Sequence, residues 1–328
     1  IYMYDPNTNN WTTGNNNVGF YNGRQSGAFL CLNKSTDSTI DGTYLLVSNI
    51  TSIYVYKYSL TGGTLGGTWS QYGPDIYTDG HGSGQCPSAI NSDGTRVALG
   101  LPTLEGGAAS GTYYWGGFEV YEYSVSDNSW NILGSRINYS AADIEYFGHN
   151  SSSIASGQFH ANYGADIVIN SIGDIVAIRS DYPGGALDSD TSKIIYGLVY
   201  KYDGSAWTLL GNPIIGSVNC RCEDIAISGS GYQIAIGGNS NAFYHAVYQY
   251  TTSTNTWDLI TTNFLDDLGT NITSSSYAYN IDITTDGKTV IAGGGYAGSV
   301  TSNTGGGFIS NALSTTETAV SYTHLRAH

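Results

Sequence analysis

Residues 120–130 read VYEYSVSDNSW, and this short stretch decides the fold because it recurs along the chain. Tyrosines at alternate positions place both rings on one face of a strand, and aromatic and β-branched residues favour strands. The polar residues Ser126, Asp127 and Asn128 are typical of a turn, and Trp130 then lies in a second strand. The stretch therefore predicts a β-hairpin.

Five copies of this hairpin are present. Five of the six tryptophans follow a Tyr-rich run and a polar turn, at spacings of 58, 61, 77 and 50 residues. The copies are IYMY at 1–4 with Trp11, VYKY at 55–58 with Trp69, VYEY at 120–123 with Trp130, VYKY at 199–202 with Trp207, and VYQY at 247–250 with Trp257. An internal repeat of this length indicates an array of supersecondary units.

A second kind of hairpin follows the tryptophan strands. Residues 88–100 read SAINSDGTRVALG and residues 282–293 read DITTDGKTVIAG, with variants at 166–178 and 224–237 and a more divergent copy around Asp41. An Asp-Gly or Gly-rich turn between two apolar strands is a strong hairpin signal. Each unit therefore contributes four strands, in the order inner strand, second strand, tyrosine strand and tryptophan strand.

Four antiparallel strands per repeat predict an all-β fold, a β-propeller of four-stranded antiparallel blades. Complete units span 27–73, 84–134, 164–211 and 222–261. Residues 1–14 supply the last two strands of a further blade and 277–295 the first two, while 307–309 could begin a third. If the termini meet, the ring has five blades; otherwise the chain is a fragment of a larger propeller. A β-sandwich is the alternative, but it would not repeat one four-strand unit.

One propeller domain is expected at residues 1–317, followed by a non-native tail at 318–328. After Gly307 the repeat predicts a Tyr-rich strand and a tryptophan, but residues 314–328 read STTETAVSYTHLRAH. This stretch resembles a translated cloning or sequencing adaptor. We therefore do not count His324 and His328 as metal ligands.

The net charge of −15 excludes nucleic acid and membrane insertion from the expected partners. Only 11 residues are basic against 26 acidic ones, so the chain repels polyanions. No apolar run approaches the ~18 residues that span a bilayer. The low charged fraction of 11% and the polar, Gly-rich loops favour an extracellular or cell-surface location. The disulfide state of Cys220 and Cys222 stays open, and a C-x-C without further ligands is weak evidence for zinc.

The repeat resembles the FG-GAP-like propeller repeats of large secreted or surface proteins, which are distantly akin to the integrin α-subunit propeller. The residues that carry the resemblance are the tryptophan strand, the D-I-x-x-S-x-D-G hairpin and the V-Y-x-Y strand, over residues 1 to about 310. The Ser92-Asp93-Gly94 turn is also similar to turns of TolB-like and WD-type propellers. The resemblance implies a calcium loop with several carboxylates, but here Asp41, Asp93 and Asp286 each stand alone, so neither calcium nor another cofactor is expected.

The search for catalytic residues gives only isolated candidates. The acidic residues Asp143, Glu145, Asp181, Glu223 and Asp224 could form a glycosidase pair, but acids of this kind are also typical of loops and turns. Asp166 and Asp224 lead into inner strands at equivalent positions, and residues repeated from blade to blade are usually structural. The arginines are scattered, which disfavours a sialidase-type cluster. The histidines His81, His149, His160 and His245 lack ligand spacing. The chain is therefore more consistent with a non-enzyme, although its status as an enzyme stays undecided.

Aromatic residues in the long connections are the candidate ligand-binding residues. They are Tyr113, Tyr114, Trp115, Tyr146 and Tyr163. Long loops on a rigid scaffold usually carry function, and aromatic rings bind sugars and proteins well. We expect a non-catalytic binding or adhesion module, with a protein or glycan ligand, in a secreted, surface or virion protein. An extracellular carbohydrate-active enzyme, a glycoside hydrolase or lyase, is the alternative, and a structural spacer is a weaker one.

Overall fold

The computed structural model contains only β-strands as regular elements in the part of the chain that it describes. The described residues are 2–5, 10–13, 29–33, 42–48, 52–60, 67–77, 87–102, 105–106, 113–114, 116–139, 163–180, 194–216, 220–240, 244–261, 276–296 and 306–310. In these ranges, no helix has the length and apolar character that crossing a membrane requires. The prediction of an all-β chain is confirmed.

The strands form a two-stranded hairpin and five successive larger sheets. The hairpin consists of β1 (Tyr2–Asp5) and β2 (Asn10–Thr13). Sheet 1 consists of β3 (Phe29–Leu32), β4 (Tyr44–Ser48), β5 (Ser52–Ser59), β6 (Thr68–Gln71) and the short β7 (Ile76–Tyr77). Sheet 2 consists of β8 (Ser88–Ile90), β9 (Arg96–Gly100), β12 (Gly117–Ser124), β13 (Ser129–Ile132) and β14 (Ile137–Asn138). Between β9 and β12, the strands β10 (Glu105–Gly106) and β11 (Tyr113–Tyr114) form a small separate pair.

The remaining sheets follow the same plan. Sheet 3 consists of β15 (Tyr163–Ile169), β16 (Ile175–Ser180), β17 (Ile194–Tyr202), β18 (Trp207–Leu209) and β19 (Ile214–Gly216). Sheet 4 consists of β20 (Cys220–Ile227), β21 (Gln233–Ser240), β22 (Tyr244–Thr251) and β23 (Thr256–Thr261). Sheet 5 consists of β24 (Ser276–Ile283), β25 (Val290–Tyr296) and β26 (Gly306–Ser310).

Sheets 1 to 4 each contain a meander of four antiparallel strands in chain order. In every one, the second tyrosine of the Tyr-rich strand lies opposite the tryptophan, as in Tyr58↔Trp69 and Tyr123↔Trp130. The rings of the second pair lie 5.0 Å apart. The predicted order of inner, second, tyrosine and tryptophan strand is therefore confirmed.

The turn between the inner and second strands is the same in four sheets. In sheet 2, the amide of Asn91 donates to the carbonyl of Arg96, and the side-chain oxygen of Asn91 accepts the amide of Arg96. Gly94 has a φ of +72°, a conformation that glycine adopts without steric cost. The corresponding turns span 170–175, 228–233 and 284–289, and each has a glycine with positive φ at the same position.

Backbone hydrogen bonds join these turns from sheet to sheet. The amide of Ser92 donates to the carbonyl of Ser171, the amide of Ser171 to the carbonyl of Gly229, and the amide of Gly229 to the carbonyl of Thr285. The three donors occupy the same position in three successive turns. The sheets are thus stacked in chain order, with equivalent positions in contact.

Apolar side chains fill the space between successive sheets. Between sheets 3 and 4, Ala177 and Val199 pack against Ile225, Ile234 and Trp257, all of them buried. Similar clusters lie between sheets 1 and 2, 2 and 3, and 4 and 5. Four-stranded meanders packed face to face with their inner strands adjacent are the blades of a β-propeller, so the predicted fold class is confirmed.

The first hairpin and the last sheet each contain only part of a four-stranded blade. β26 pairs with β25 and occupies the third-strand position of sheet 5, as expected for residues 307–309. The β1–β2 hairpin aligns Tyr4 with Trp11, the register of a tyrosine and a tryptophan strand. Among the described strands, no ladder joins this hairpin to sheet 5, so ring closure stays a prediction. The predicted domain boundary at 317 lies outside the described residues.

Candidate functional site

The two ends of the sheets differ in how the strands are connected. At the turn end, tight turns join the inner strand to the second strand. At the opposite end, which we call the connection end, the inner strand begins and the second strand finishes. Four long connections in sheets 2 to 5 leave from the connection end; they join β9 to β12, β14 to β15, β16 to β17 and β23 to β24. A ligand site on the connections would therefore lie here.

The predicted aromatic residues are partly placed by the described backbone. Tyr113 and Tyr114 form β11, which pairs with β10 inside the connection from β9 to β12. Tyr163 begins β15 and lies opposite Ser180, at the connection end. Trp115 and Tyr146 lie outside the described residues. The backbone thus brings three of the five candidates to the same end, and their contact with a ligand stays a prediction.

A β-bulge interrupts three consecutive inner strands at this end. The register shifts between Tyr163 and Asp166 in β15, between Cys222 and Asp224 in β20, and between Ala278 and Asn280 in β24. The residue after each bulge is Asp166, Asp224 or Asn280, four positions before the turn. Bulges re-aim side chains and are frequent beside functional sites.

The two bulge aspartates meet across the interface of sheets 3 and 4. Their carboxyl groups are in hydrogen-bonding contact with each other. Each also accepts the amide of its following isoleucine: Ile167 donates to Asp166 at 2.9 Å, and Ile225 donates to Asp224 at 2.9 Å. The other oxygen of Asp224 accepts the amide of Ile281 in sheet 5 at 2.6 Å.

A second negative charge on this pair is disfavoured near neutral pH. Burial, followed by the Asp166 carboxylate, raises the pKa of Asp224 to about 8. Burial also raises the pKa of Asp166, but the guanidinium of Arg179, with 3.8 Å between Nε and Oδ2, favours its ionised form. Arg179 therefore favours the proton on Asp224 and the charge on Asp166.

Arg179 and Cys222 complete the surroundings of the pair. Arg179 lies directly opposite Asp166 in the ladder, and its Nη1 donates to the carbonyl of Cys222 at 3.1 Å. The Cys222 thiol is free and buried, and burial raises its pKa far above the ordinary value. Cys222 therefore forms no disulfide bond with Cys220 in this structure, and burial disfavours its thiolate form.

The other described arginine side chains hold strands together. Arg96 binds Glu122 at 2.7 Å and donates to the carbonyl of Gly173 in sheet 3. Arg136 binds the buried carboxylate of Glu119, which also accepts the hydroxyl of Tyr121. No arginine cluster forms among these described side chains.

The remaining polar candidates serve turns or lie elsewhere. Asp93 and Asp286 accept backbone amides two residues later within their own turns. His245 is buried in β22. Across the described ranges, no three His, Cys, Asp or Glu side chains are placed to hold a metal ion. The following candidates lie outside the described residues: Asp41, His81, Asp143, Glu145, His149, His160 and Asp181.

The Asp166–Asp224 contact is the feature that sequence reasoning missed. The sequence places both residues at equivalent positions that lead into inner strands, which favours a structural role for each but does not predict a contact between them. The available signal was their common distance of four residues from the turn residues Asn170 and Ser228. Equal positions in neighbouring blades bring the two carboxyl groups together.

Comparisons with known proteins identify no family and find similarity only to solved structures of low sequence identity. No protein-family model matches the chain, and no curated protein matches it. Among solved structures, the chain is similar to the Cps50 (Swd1) β-propeller domain of Myceliophteria thermophila, with 8% identity, a TM-score of 0.40, and coverage of 76% of this chain and 63% of that one. A putative 6-phosphogluconolactonase from Bacteroides uniformis matches with 10% identity and a TM-score of 0.40, over 84% of this chain and 79% of that one.

The Dos1 propeller matches with 12% identity and a TM-score of 0.39, over 76% of this chain and 50% of that one. The chain thus spans less than two thirds of the Swd1 and Dos1 structures. The fold assignment rests on the sheet order and the contacts between sheets, and the resemblance to FG-GAP-like repeats stays a prediction.

Proposed function

We propose that this chain is a non-catalytic binding or adhesion module of a secreted, surface or virion protein, and that it binds a glycan or protein ligand at the connection end. The ligand contacts are made by aromatic residues of the long connections, beginning with Tyr113 and Tyr114. The FG-GAP-like character of the repeat supports the same proposal.

The observation that carries the proposal is the difference between the two ends. Four long connections and three of the predicted aromatic residues share the connection end. The turn end consists mainly of tight turns whose polar groups are bound by side chains and by the next sheet. A rigid stack of sheets that presents its long segments at one end is the usual arrangement of a binding surface.

The carboxyl pair supports binding over glycoside hydrolysis. A glycosidase holds its two carboxyl groups about 5 to 9.5 Å apart, so that a sugar or a water fits between them. Asp166 and Asp224 instead are in direct contact. Their oxygens also accept backbone amides of the inner strands, which fixes them as part of the interface between sheets.

A polysaccharide panel tests the proposal. The purified chain is applied to immobilised polysaccharides and to the same polysaccharides in solution, with release of reducing sugar as the second readout. We expect retention on at least one polysaccharide without release of reducing sugar. Release of sugar would contradict a non-catalytic role, and absence of retention on every polysaccharide would contradict glycan binding.

A double variant locates the ligand contact. In Tyr113→Ala/Tyr114→Ala, we expect a loss of affinity of about tenfold, because each ring contributes about 0.5–1.5 kcal/mol and 1.4 kcal/mol is a factor of ten. Val125→Ala is the matched control, since Val125 is an exposed apolar residue in a turn at the other end. Equal affinities of the two variants would contradict the placement of the site.

A further inference from the structure

A chain of polar contacts crosses three consecutive sheets at the bulges. It runs from Asp166 on β15 to Asp224 on β20, and from Asp224 to the amide of Ile281 on β24. The side chains between these sheets are mainly isoleucine, valine and alanine. The two carboxyl groups therefore form a polar link among these three inner strands within a mainly apolar packing.

We propose that Asp166 and Asp224 form a proton-dependent clasp, closed by one shared proton at acidic and neutral pH and opened when that proton is lost in alkaline solution. This inference does not depend on the proposed binding function.

The contacts of the pair explain why one proton closes the clasp. With a proton on Asp224, its hydroxyl donates to the Asp166 carboxylate, which Arg179 on β16 also binds. Loss of the proton leaves two anions in contact, and the guanidinium of Arg179 pairs with Asp166. Two like charges at that distance in a partly buried site repel strongly.

Among the side chains that the structure describes, the elements packed around the pair add no second cation. β20 contributes Cys222, whose burial keeps the thiol neutral, and the half-buried Glu223, whose charge opposes ionisation of that thiol. β24 contributes the amide of Ile281, which donates to Asp224 in either charge state. Arg179 is the one positive group among these described side chains, and it already binds Asp166.

The direction of the pH dependence follows from the raised pKa of Asp224. Its ordinary value is 3.8 and its value in the folded chain is about 8, so folding takes up a proton between these two pH values. The stabilisation is complete below pH 3.8, decreases as the pH rises towards 8, and is absent above it. A single linked proton changes the unfolding equilibrium up to tenfold per pH unit.

The test compares urea unfolding of three proteins from pH 5 to pH 9. Asp224→Asn keeps a donor towards Asp166 and an acceptor for the Ile281 amide, but it does not titrate. We expect the unfolding equilibrium constant of the wild type to increase more steeply between pH 5 and pH 8 than that of Asp224→Asn. Glu223→Gln, which removes a charge at the same bulge, is expected to keep the wild-type slope. Parallel profiles of the wild type and Asp224→Asn would overturn the proposal.

A measurement on the wild type alone covers the case in which Asp224→Asn fails to fold. Carboxyl ¹³C NMR follows the aspartates labelled at Cγ through the same pH range. We expect one aspartate with a midpoint near pH 8 and a second whose chemical shift responds at the same midpoint. Titration of every aspartate below about pH 5 would overturn the proposal.

Discussion

At the scale of single residues, two of the repeated tryptophans connect one sheet to the sheet before it. Nε1 of Trp207 donates to the carbonyl of Leu133 at 2.8 Å, and Nε1 of Trp257 donates to the carbonyl of Leu210 at 2.8 Å. In both cases the acceptor lies three residues after the tryptophan position of the preceding sheet. Both rings are buried and therefore fill the space between blades.

Removal of one such hydrogen bond gives a residue-scale prediction. Trp207→Phe should lower the free energy of unfolding by about 2 kcal/mol, since it leaves the Leu133 carbonyl without its donor and removes buried ring surface. Trp69→Phe is the control, because Nε1 of Trp69 is buried without a hydrogen-bond partner. The free energy of unfolding should fall by about 1 kcal/mol less in Trp69→Phe than in Trp207→Phe. Urea unfolding measures both, and equal losses would show that the hydrogen bond contributes nothing.

The residue scale also shows where sequence reasoning succeeds. The Tyr58↔Trp69 pairing was predictable, because both residues belong to one hairpin and the turn between them sets the register. The contact of Asp166 with Asp224 was not, because it joins residues of two blades. A contact between sheets depends on how the sheets stack, and no local sequence pattern predicts that stacking.

At the scale of elements, the turn of the inner hairpin places each sheet close to its neighbour. A Cβ atom at Gly94 would lie 2.5 Å from the ring of Tyr44 in sheet 1. Real Cβ atoms do not approach other atoms so closely. Glycine is therefore required here by the packing of two sheets as well as by the φ of +72°.

Two alanine substitutions separate these two requirements. Gly94→Ala should cost about 1–2 kcal/mol for the left-handed backbone and about 1–3 kcal/mol more for displacing the buried Tyr44 ring. Gly42→Ala should cost only the first amount, because Gly42 has a φ of +78° and no atom within 4 Å of its Cβ position. Thermal unfolding of both variants measures the difference. A loss for Gly42→Ala as large as that for Gly94→Ala would contradict the close contact.

The bulges are elements that the sequence did not predict. An extra residue such as Glu223 has the same composition as the strand around it, so neither periodicity nor turn-forming residues mark it. The Asp-Gly and Gly-rich turns were predictable, since they require specific residue types. The turns, which require specific residue types, were therefore predicted from the sequence. The bulges, which are defined by the pairing register of two strands, were not.

At the scale of the whole molecule, the two outer faces of the array differ from its interior. Leu32 on the first inner strand is 54% exposed, whereas Ile169 and Ile227 at the same position are buried by the sheet before them. On the last sheet, Ile291 is 47% exposed, whereas the equivalent Ala235 is fully buried. Each of these residues lies where one further sheet would cover it, and whether the propeller is closed or longer stays a prediction.

The central claim is that the sheets form one stacked array joined through the turns of the inner hairpins. Amide hydrogen exchange by NMR tests it directly at Ser92, Ser171 and Gly229, whose amides donate to the next turn. We predict slow exchange at these three positions and fast exchange at the exposed next residues of the same turns, which are Asp93, Ile172 and Ser230. Fast exchange at all six would show that the turns are free of one another, and it would contradict the propeller.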